Sequence, residues 1–276
     1  MSQLIQLKHR IQAVETIKKI TNAMRITAMS THSKLSHQAH YLKSYEDELK
    51  KIYSLVQSQI KQDSAATETA PSNLLVIIGS DKGLCGNFNS ALLGYFKSKI
   101  KEHGITEFKL FAVGKKIGDM LKASNIHVDF IDENFAHNKI GEISDAIFKN
   151  IQDNQYSNVE FFFTKSKNFF IQQPSKYTLI PSEKIDSKNS SELETDLYVW
   201  PEDPAQLIKK LKDEFLRFSI KRILFDSIFA EQSARFKSMD SATRNAESIL
   251  EEMQILYSKL RQAKITKELT ELSGHF

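Results

Sequence analysis

The sequence is short of the two residues that interrupt helices, and their distribution is uneven. No glycine or proline occurs before Pro71, and none occurs between Pro204 and Gly274. Eight of the nine glycines lie between Gly79 and Gly141. Because glycine and proline are the usual helix breakers, the chain divides into an unbroken first part, a punctuated middle and an unbroken last part.

Cysteines and long apolar runs are also scarce. Cys85 is the single cysteine, so no internal disulfide can form, and we expect a protein of a reducing compartment. The opening residues, MSQLIQLKHRIQ, lack the apolar core of a signal peptide. No stretch approaches the roughly 18 apolar residues that span a bilayer, so we expect no direct membrane insertion. The net charge of +4 over 276 residues does not require a nucleic-acid partner.

Apolar residues in the last part recur at alternating steps of three and four. Between Ile208 and Lys264, thirteen of the seventeen positions reached by these steps are apolar. A period of 3.5 residues held over about eight heptads predicts a long coiled-coil helix. A helix over 205–272 would be about 100 Å long, and we assign residues 201–276 to this element.

The first part, residues 1–60, carries a similar stripe. Neither helix could bury its stripe alone, and a compact domain separates them in sequence. We therefore expect the two termini to form an antiparallel two-helix coiled coil, with residues 61–73, which are small and polar, as the linker. The stripe positions are Leu4, Leu7, Ile11, Val14, Ile17, Ile20, Met24, Ala28 and Leu35, continued by Leu42, Tyr45, Leu49, Ile52 and Val56.

The middle, residues 74–200, alternates strand and helix signals. This pattern predicts a Rossmann-like α/β domain with a mostly parallel sheet. Residues 181–195 are rich in Ser, Lys and Glu and predict a loop, after which Asp203 would cap the last helix and Pro204 would stand in its first turn. The predicted strands are 74–79, 108–113, 126–131, 158–164 and 176–180, and the predicted helices are 88–102, 115–123 and 139–153.

A glycine-rich turn, SDKGLCGNFN, follows the first predicted strand. In a Walker A loop the second glycine precedes Lys and Ser or Thr, whereas Gly86 precedes Asn87. The spacing of Gly79, Gly83 and Gly86 also differs from the dinucleotide-binding G-x-G-x-x-G. We therefore favour a turn that needs left-handed backbone or close backbone contact over a nucleotide site. No local signature makes Cys85 a nucleophile, and a small buried residue or a surface thiol is the preferred interpretation.

The sequence gives only weak evidence for other functional sites. His32, His37 and His40 have no cysteine or carboxylate beside them, so a polar helix face is favoured over a metal site. We predict no catalytic residues, no metal and no cofactor. Residues 1–45 hold seven Lys or Arg against one acid, Glu15, which would suit acidic protein surfaces or nucleic acid. The lack of aromatic residues before Tyr41 argues against binding of single strands.

Five segments, in order along the chain, resemble motifs of the gamma subunit of F-type ATP synthase. The family's R-I-x-S-V-x-N-T-x-K-I-T-x-A-M, D-R-G-L-C-G, E-P-D-P, S-E-Q-A-A-R-M-x-A-M and Y-N-x-x-R-Q-A-x-I-T-x-E-L-x-E have counterparts here. These counterparts are Arg10–Met24, Asp81–Asn89, Trp200–Pro204, Ala230–Met239 and Leu256–Glu271.

The resemblance implies a non-catalytic rotor shaft that couples proton flow through the membrane sector to ATP synthesis or hydrolysis on the beta subunits. The implied partners are the alpha and beta subunits of the hexamer, the epsilon subunit and the c-ring, without nucleic acid. The glycine turn would be structural, at the foot of the shaft: Gly83, Leu84, Cys85 and Gly86. The residues implied to face the hexamer are Lys18, Met24, Arg25, Arg235, Gln262 and Thr266.

Some features depart from the family pattern. Asp240 stands where lysine is common, Lys34 is the single basic residue between Ile26 and Leu42, and the segment after Glu271 is one residue shorter. The plant-type insert with paired cysteines has no counterpart, and no mitochondrial presequence is evident. We expect a bacterial protein peripheral to the cytoplasmic face of the plasma (inner) membrane.

Two other functions stay open at this point. One is a coiled-coil scaffold or a chromosome-organising protein, which would need nucleotide-binding heads at both termini. The other is a nucleotide-dependent enzyme built on the central domain, which would bind ATP or a dinucleotide as the isolated chain.

Overall fold

The computed structural model describes residues 2–58, 73–103, 107–154, 156–180 and 204–273. Two helices are much longer than the others and lie at the two ends of the chain. The elements in chain order are α1 (Ser2–Ser58), β1 (Asn73–Ile78), α2 (Phe88–His103), β2 (Lys109–Val113), α3 (Lys115–Ala123), β3 (Phe130–Asp132), a 3-10 turn (His137–Lys139), α4 (Ile140–Asn154), β4 (Asn158–Asn168), β5 (Ile171–Ile180) and α5 (Pro204–Ser273).

The five strands form one sheet in the order β3-β2-β1-β4-β5. All neighbouring pairs are parallel except β4 and β5, which form an antiparallel hairpin. This confirms the predicted α/β class with long terminal helices. Pro174 lies within β5, an edge strand, where the missing backbone N–H of proline is tolerated.

Three strand predictions were inaccurate. Residues 126–128 are not a strand, because the backbone N–H of Ile126 closes the end of α3 by donating to Leu121 O at 3.1 Å, next to a left-handed Asn125. The hairpin is longer than predicted on both strands. Its turn is closed by the Asn168 side chain, which accepts hydrogen bonds from the backbone N–H groups of Phe170 and Ile171.

Each face of the sheet has its own core. Leu75, Ile77 and Phe162 point to the side covered by α2 and α3. Leu74, Val76, Ile78 and their neighbours point to the other side, which is covered by α4, by the middle of α5 and by Leu35 of α1. The α5 residues on this second face include Ile220, Leu224 and Ile228, and Ser227 donates to Ile78 O at 3.3 Å.

The chain divides into two compact units, and both long helices contribute to each. The first unit is residues 1–30 with 235–276, and the second is residues 31–234. The predicted domain limits (1–60, 61–73, 74–200, 201–276) stay predictions. Most of the predicted linker, the loop 181–195, Trp200 and the Asp203 cap lie outside the described residues, whereas α5 begins at Pro204 as expected.

Within the second unit, α1 and α5 run antiparallel. The Tyr45 hydroxyl donates to Glu214 at 3.2 Å, and its ring lies 4.8 Å from that of Phe218. Leu49 packs with Phe215 and Phe218. These contacts confirm the antiparallel pairing in this part of the chain.

Within the first unit, the pairing is again antiparallel but the predicted stripe on α1 was partly wrong. Ile17 and Ile20 are 52% and 53% exposed. The buried line instead continues the 3-4 spacing of Leu4, Leu7, Ile11 and Val14 through Lys18, Thr21, Arg25 and Ala28. The polar members can occupy these positions because α5 supplies a partner for each of them.

Candidate functional site

A polar layer interrupts the apolar seam of the first unit. Thr21 and Thr243 are 9% and 6% exposed, and their hydroxyl oxygens lie 2.9 Å apart. Each hydroxyl also reaches a backbone carbonyl of its own helix, Lys18 O at 3.1 Å for Thr21 and Met239 O at 2.7 Å for Thr243. Two hydroxyl protons serve these three contacts: Thr21 donates to Lys18 O, and Thr243 donates either to Thr21 Oγ1 or to Met239 O. Each buried hydroxyl thus has a hydrogen-bond partner.

Two ion pairs flank the threonines. Lys18 Nζ lies 2.9 Å from Glu247 Oε1, and Arg25 Nη1 lies 2.9 Å from Asp240 Oδ1. Arg244, one turn along α5, also binds Asp240. The hydrogen bond from Arg25, with that from Arg244, lowers the pKa of Asp240 below its ordinary value. The carboxylate is therefore ionised at neutral pH and joins the two arginines.

The six residues implied to face the hexamer all belong to the first unit, but they form two groups. At about 1.5 Å per residue, Gln262 lies about 33 Å along α5 from Asp240, the partner of Arg25. Gln262 and Thr266 are exposed, and the Thr266 hydroxyl donates to the carbonyl of Gln262 at 3.0 Å. Their contact with another subunit stays a prediction.

The second group, Lys18, Met24, Arg25 and Arg235, is less exposed to solvent than Gln262 and Thr266. The side chains of Lys18 and Arg25 are 39% and 36% exposed while engaged with acids of α5. Met24 is half-buried, and Arg235 is only 9% exposed. Lys18 and Arg25 thus present a part of their surface to solvent after binding within the chain.

Large apolar side chains lie exposed along both helices of the first unit. The rotor hypothesis predicts hydrophobic surface on the long helices, but sequence reasoning did not name these residues; their signal is the set of apolar residues left over once the heptad positions are assigned. Monomeric proteins expose few extended apolar patches, and larger ones mark contact surfaces. The exposed fractions run from 43% for Ile249 to 61% for Leu269. The residues are Ile5, Ile17, Ile20, Ile26, Met29, Ile249, Ile255, Leu256, Ile265 and Leu269.

A shallow groove of about 590 Å³ runs beside the polar layer on the same two helices. Both signs of charge line it, together with two amides and one apolar side chain. The lining residues are Glu15, Lys18, Lys19, Asn22, Glu247, Leu250, Glu251 and Gln254. A partner that enters this groove would need polar groups of both signs.

The glycine turn belongs to the second unit and is closed by its own side chains. The backbone N–H of Ser80 donates to Asn89 Oδ1 at 2.9 Å, and Asn89 Nδ2 donates to Ser80 Oγ at 2.7 Å. The backbone N–H of Phe88, at the start of α2, points to Cys85 O at 3.3 Å. Two backbone donors that a phosphate bound at this turn could use are thus bonded inside it.

Left-handed backbone or close contact, the two expected reasons for glycine in this turn, applies at some of the glycines but not at all of them. Gly86 has φ 62°, and a Cβ on Gly79 would lie 2.4 Å from Ile117 Cβ. Gly83 has neither constraint, since the atom nearest to a Cβ added there would be Lys116 Cε at 4.0 Å. Leu84, which is 58% exposed, adopts φ 65° instead.

Cys85 is buried. Its side chain is 3% exposed and packs with Phe88, Ala230 and Ala234. This confirms the interpretation of Cys85 as a small buried residue.

The three histidines of α1 do not share an environment. His32 stacks on Phe229 with ring centroids 4.2 Å apart and meets the edge of Phe169 at 4.8 Å. Burial lowers the pKa of His32. His37 and His40 are exposed. Among the described residues, no group of three His, Cys, Asp or Glu could hold a metal ion.

Within the described ranges, no helix is both long and apolar enough to span a membrane.

Comparison with known proteins gives a match over nearly the whole chain. The family model described as ATP synthase matches residues 3–275. A protein of Rickettsia typhi named ATP synthase gamma chain is 31% identical, over 99% of this chain and 98% of its own. The relative of the same name from Christiangramia forsetii is 27% identical over the same shares.

Solved structures share the fold. A chain of the Euglena gracilis mitochondrial ATP synthase, in a structure of its OSCP, F1 and c-ring, has a TM-score of 0.71 at 14% identity, covering 99% of this chain and 93% of its own. A chain from the central stalk and c-ring of the Tetrahymena thermophila mitochondrial ATP synthase has a TM-score of 0.55 at 22% identity, covering 81% and 99%. At these identities the likeness is one of fold.

Proposed function

We propose a function from one premise: this chain belongs to the ATP synthase gamma-chain family, since the family model and a 31% identical relative match nearly all of it. It is the central rotor shaft of an F-type ATP synthase. Rotation driven by proton flow through the membrane sector changes the beta-subunit sites in turn, and ATP hydrolysis there drives the reverse rotation.

The observation that carries this proposal is the exposed apolar surface of the first unit. Ten large apolar side chains on two paired helices are between 43% and 61% exposed, and each loses about 25 cal/mol per Å² of stabilisation while it faces water. A shaft enclosed by a ring of subunits removes such a surface from water. The alpha and beta subunits of the hexamer are therefore the partners of the first unit.

An asymmetric surface explains how a shaft can control three sites. It biases them differently only if its contacts differ around the axis. Here α1 carries exposed cations such as Lys19, while α5 carries Glu251 and Glu252. The groove between them mixes both signs.

The residues that we propose as contacts are those that match the motifs of the family. Lys18, Met24, Arg25 and Arg235 contact the hexamer at one level of the shaft. Gln262 and Thr266 contact it at another level, nearer the end of α5. The turn Gly83–Gly86 is structural and lies at the foot of the shaft.

The chain itself carries no catalytic site in this proposal. The bonded donors of Ser80 and Phe88 and the buried thiol of Cys85 support this. ATP is made and split on the beta subunits. The epsilon subunit and the c-ring bind the chain on the membrane side, and the complex lies on the cytoplasmic face of a bacterial inner membrane.

Co-expression with the alpha and beta subunits of the same organism tests the proposal. We expect size-exclusion chromatography to give a complex with one copy of this chain per three alpha–beta pairs, with ATPase activity that depends on the chain. A chain that stays apart from well-folded alpha and beta subunits would contradict the rotor and favour a coiled-coil scaffold with another partner.

Variants of the exposed surface make the test sharper. Replacing Ile17, Ile20 and Ile26 by Ser should lower chain-dependent ATPase activity at least tenfold, because apolar burial against the hexamer is lost. Ile52→Ser is the matched control, since Ile52 is 43% exposed on the same helix but belongs to the second unit. Equal loss in both variants would assign the effect to the helix rather than to the surface.

A further inference from the structure

The seams of the two helices in the first unit match position for position. Eight heptad positions run along α1 from Leu4 to Ala28, and eight run along α5 from Phe236 to Leu260. Thr21 lies opposite Thr243. In an antiparallel pair, this register places Val14 opposite Leu250, Leu7 opposite Tyr257 and Ala28 opposite Phe236.

The polar residues occupy three successive positions of the α1 seam. These are Lys18, Thr21 and Arg25, and the register places them opposite Ala246, Thr243 and Met239. The acids that bind the two cations, Glu247 and Asp240, each stand one residue beyond the seam position. The short side chain of Ala246 leaves room at the seam for the Lys18 stem.

We propose that this polar layer, Lys18, Thr21, Arg25, Asp240, Thr243 and Glu247, fixes the axial register of α1 against α5. A single polar residue in a coiled-coil seam is known to specify register at some cost in stability. Here three consecutive layers do so, and the buried hydrogen bond between Thr21 and Thr243 is their centre.

The remaining seam cannot discriminate between registers as strongly. Its members between Leu4 and Val14, and between Leu250 and Leu260, are large and apolar on both helices. A slip of one heptad would still pair large apolar side chains at half of these positions: Ile11 and Val14 would meet Leu260 and Tyr257 in one direction, and Leu4 and Leu7 would meet Met253 and Leu250 in the other. Exchanges among apolar side chains of similar volume are tolerated well.

The same slip is costly at the polar layer. In one direction it puts Thr21 opposite Leu250 and Lys18 opposite Met253. In the other it puts Thr21 opposite Phe236 and Lys18 opposite Met239. In either direction the buried Thr21 hydroxyl loses its partner on α5, which is the expensive case for a polar group in a seam. One of the two ion pairs is lost as well: Lys18 meets Gln254 in the first direction, and Arg25 meets Ser233 in the second.

The consequence for coupling rests on the proposed rotor function. Torque in a two-helix shaft tends to shear one helix along the other. A shaft that slipped would shift Gln262 and Thr266 along the axis relative to Met24. The polar layer keeps these contact levels in a constant relation during rotation.

Disulfide trapping in the full chain, both alone and assembled with alpha and beta subunits, measures the register directly. The reporter for the native register is Leu7→Cys with Tyr257→Cys, and the reporter for the slip that puts Thr21 opposite Leu250 is Val14→Cys with Tyr257→Cys. Cys85 is present in every variant and is buried. With the polar layer intact, we expect the native reporter to cross-link at least tenfold faster than the slipped one.

The test variant is Thr21→Val with Thr243→Val and Asp240→Leu. It should raise cross-linking of the slipped reporter about tenfold, as expected when the cost of a misplaced buried polar group disappears. The matched control is Thr16→Val with Thr27→Val, because within the described part of the chain these exposed hydroxyls bond to carbonyls of α1, at Gln12 and Ala23. This control should leave both reporters unchanged.

The reversed pair Arg25→Asp with Asp240→Arg should keep the native register, whereas Asp240→Arg alone should favour the slipped reporter. Unchanged slipped cross-linking in the triple variant would overturn the proposal and place register control elsewhere on the two helices. ATP-driven proton pumping per ATP hydrolysed is measured separately. Native cross-linking without pumping would count against the rotor function and leave the register proposal standing.

Discussion

His32 packs against two aromatic rings, and its burial there lowers its pKa. Its ring lies against Phe229 and Phe169, and its Nε2 has no hydrogen-bond partner among the residues that the structure describes. Its pKa is lowered by burial alone, although α1 also carries Lys34, the hairpin carries Lys165 and Lys167, and α5 carries Asp226. None of these charges offsets the effect of burial on the pKa of His32.

The pH dependence follows from that direction. The unfolded chain binds a proton at His32 below about pH 6.5, whereas the folded chain does so only at lower pH. The stability contributed by the neutral ring is therefore present above pH 6.5 and is lost as the pH falls through the lowered pKa.

We expect amide exchange of the hairpin turn at Asn168–Ile171 to increase between pH 7 and pH 5, after correction for intrinsic rates. The effect is small because water reaches the half-buried ring. His32→Leu should abolish the increase, and His37→Leu, at an exposed position of α1, should retain it. An increase that persists in His32→Leu would mean that another group titrates.

Two glycines provide a residue-scale test of backbone packing. Gly79→Ala places a methyl 2.4 Å from Ile117 Cβ, so the strand–helix contact must open, and we expect a loss of about 1–3 kcal/mol. Gly94→Ala in α2 meets no atom within 4 Å and should stabilise the chain by about 0.5–1 kcal/mol. Chemical denaturation of the two variants should shift in opposite directions, and similar shifts would contradict the contact at Gly79.

The elements show what a sequence pattern can and cannot predict. The ends of α1 and α5 were predicted to within about two residues, because uninterrupted helix formers and a heptad repeat are local signals. The choice between Ile17 and Lys18 as a seam residue was not local. It depends on Glu247, more than two hundred positions away, which makes a lysine acceptable at the seam.

The packing of α5 was also predicted only in part from the sequence. Its 3-4 repeat correctly predicted the face that meets α1, with Met239, Thr243, Ala246 and Leu250 buried. It did not predict that Ile220 and Leu224 pack on the sheet as well. A helix covered on two sides has no polar face to show its periodicity.

Disruption of the seam is the element-scale prediction. Leu250→Asp with Met253→Asp should lower the helix content and the melting temperature of the full chain, since an unpaired charge in the seam costs several kcal/mol. The control is Ile249→Asp, because Ile249 is the neighbour of Leu250 but is 43% exposed. Equal melting of the double variant and the control would contradict the seam assignment.

The whole molecule combines one family match with two compact units. The gamma-chain resemblance was visible in the sequence, because its motifs lie in the termini and the turn. The six candidate contact residues and the turn fall in different units. Their roles at the hexamer stay predictions, since they depend on surfaces that other chains supply.

Charge is the property of the whole chain that an assembly experiment can test. The cations Lys8, Arg10 and Lys19 of α1 are exposed. Long-range attraction between these cations and acidic partner surfaces is screened within about 8–10 Å at physiological salt. We expect the association rate with alpha–beta complexes to fall at least tenfold between about 50 and 500 mM salt.

Replacement of Lys8, Arg10 and Lys19 by Gln should flatten that salt dependence while leaving dissociation nearly unchanged. Lys97→Gln, Lys101→Gln and Lys122→Gln in α2 and α3 provide a control with the same change in charge. An association rate that does not respond to salt would contradict electrostatic steering by α1.

The composition of the first unit has a consequence during synthesis. Its two segments are separated by residues 31–234, so the ribosome makes residues 2–30 long before their partner on α5. At about 5–20 residues per second, the delay is roughly 10–40 s. The nascent α1 segment has to keep its apolar seam from aggregating through that interval, while the strands and helices of the second unit are still being made.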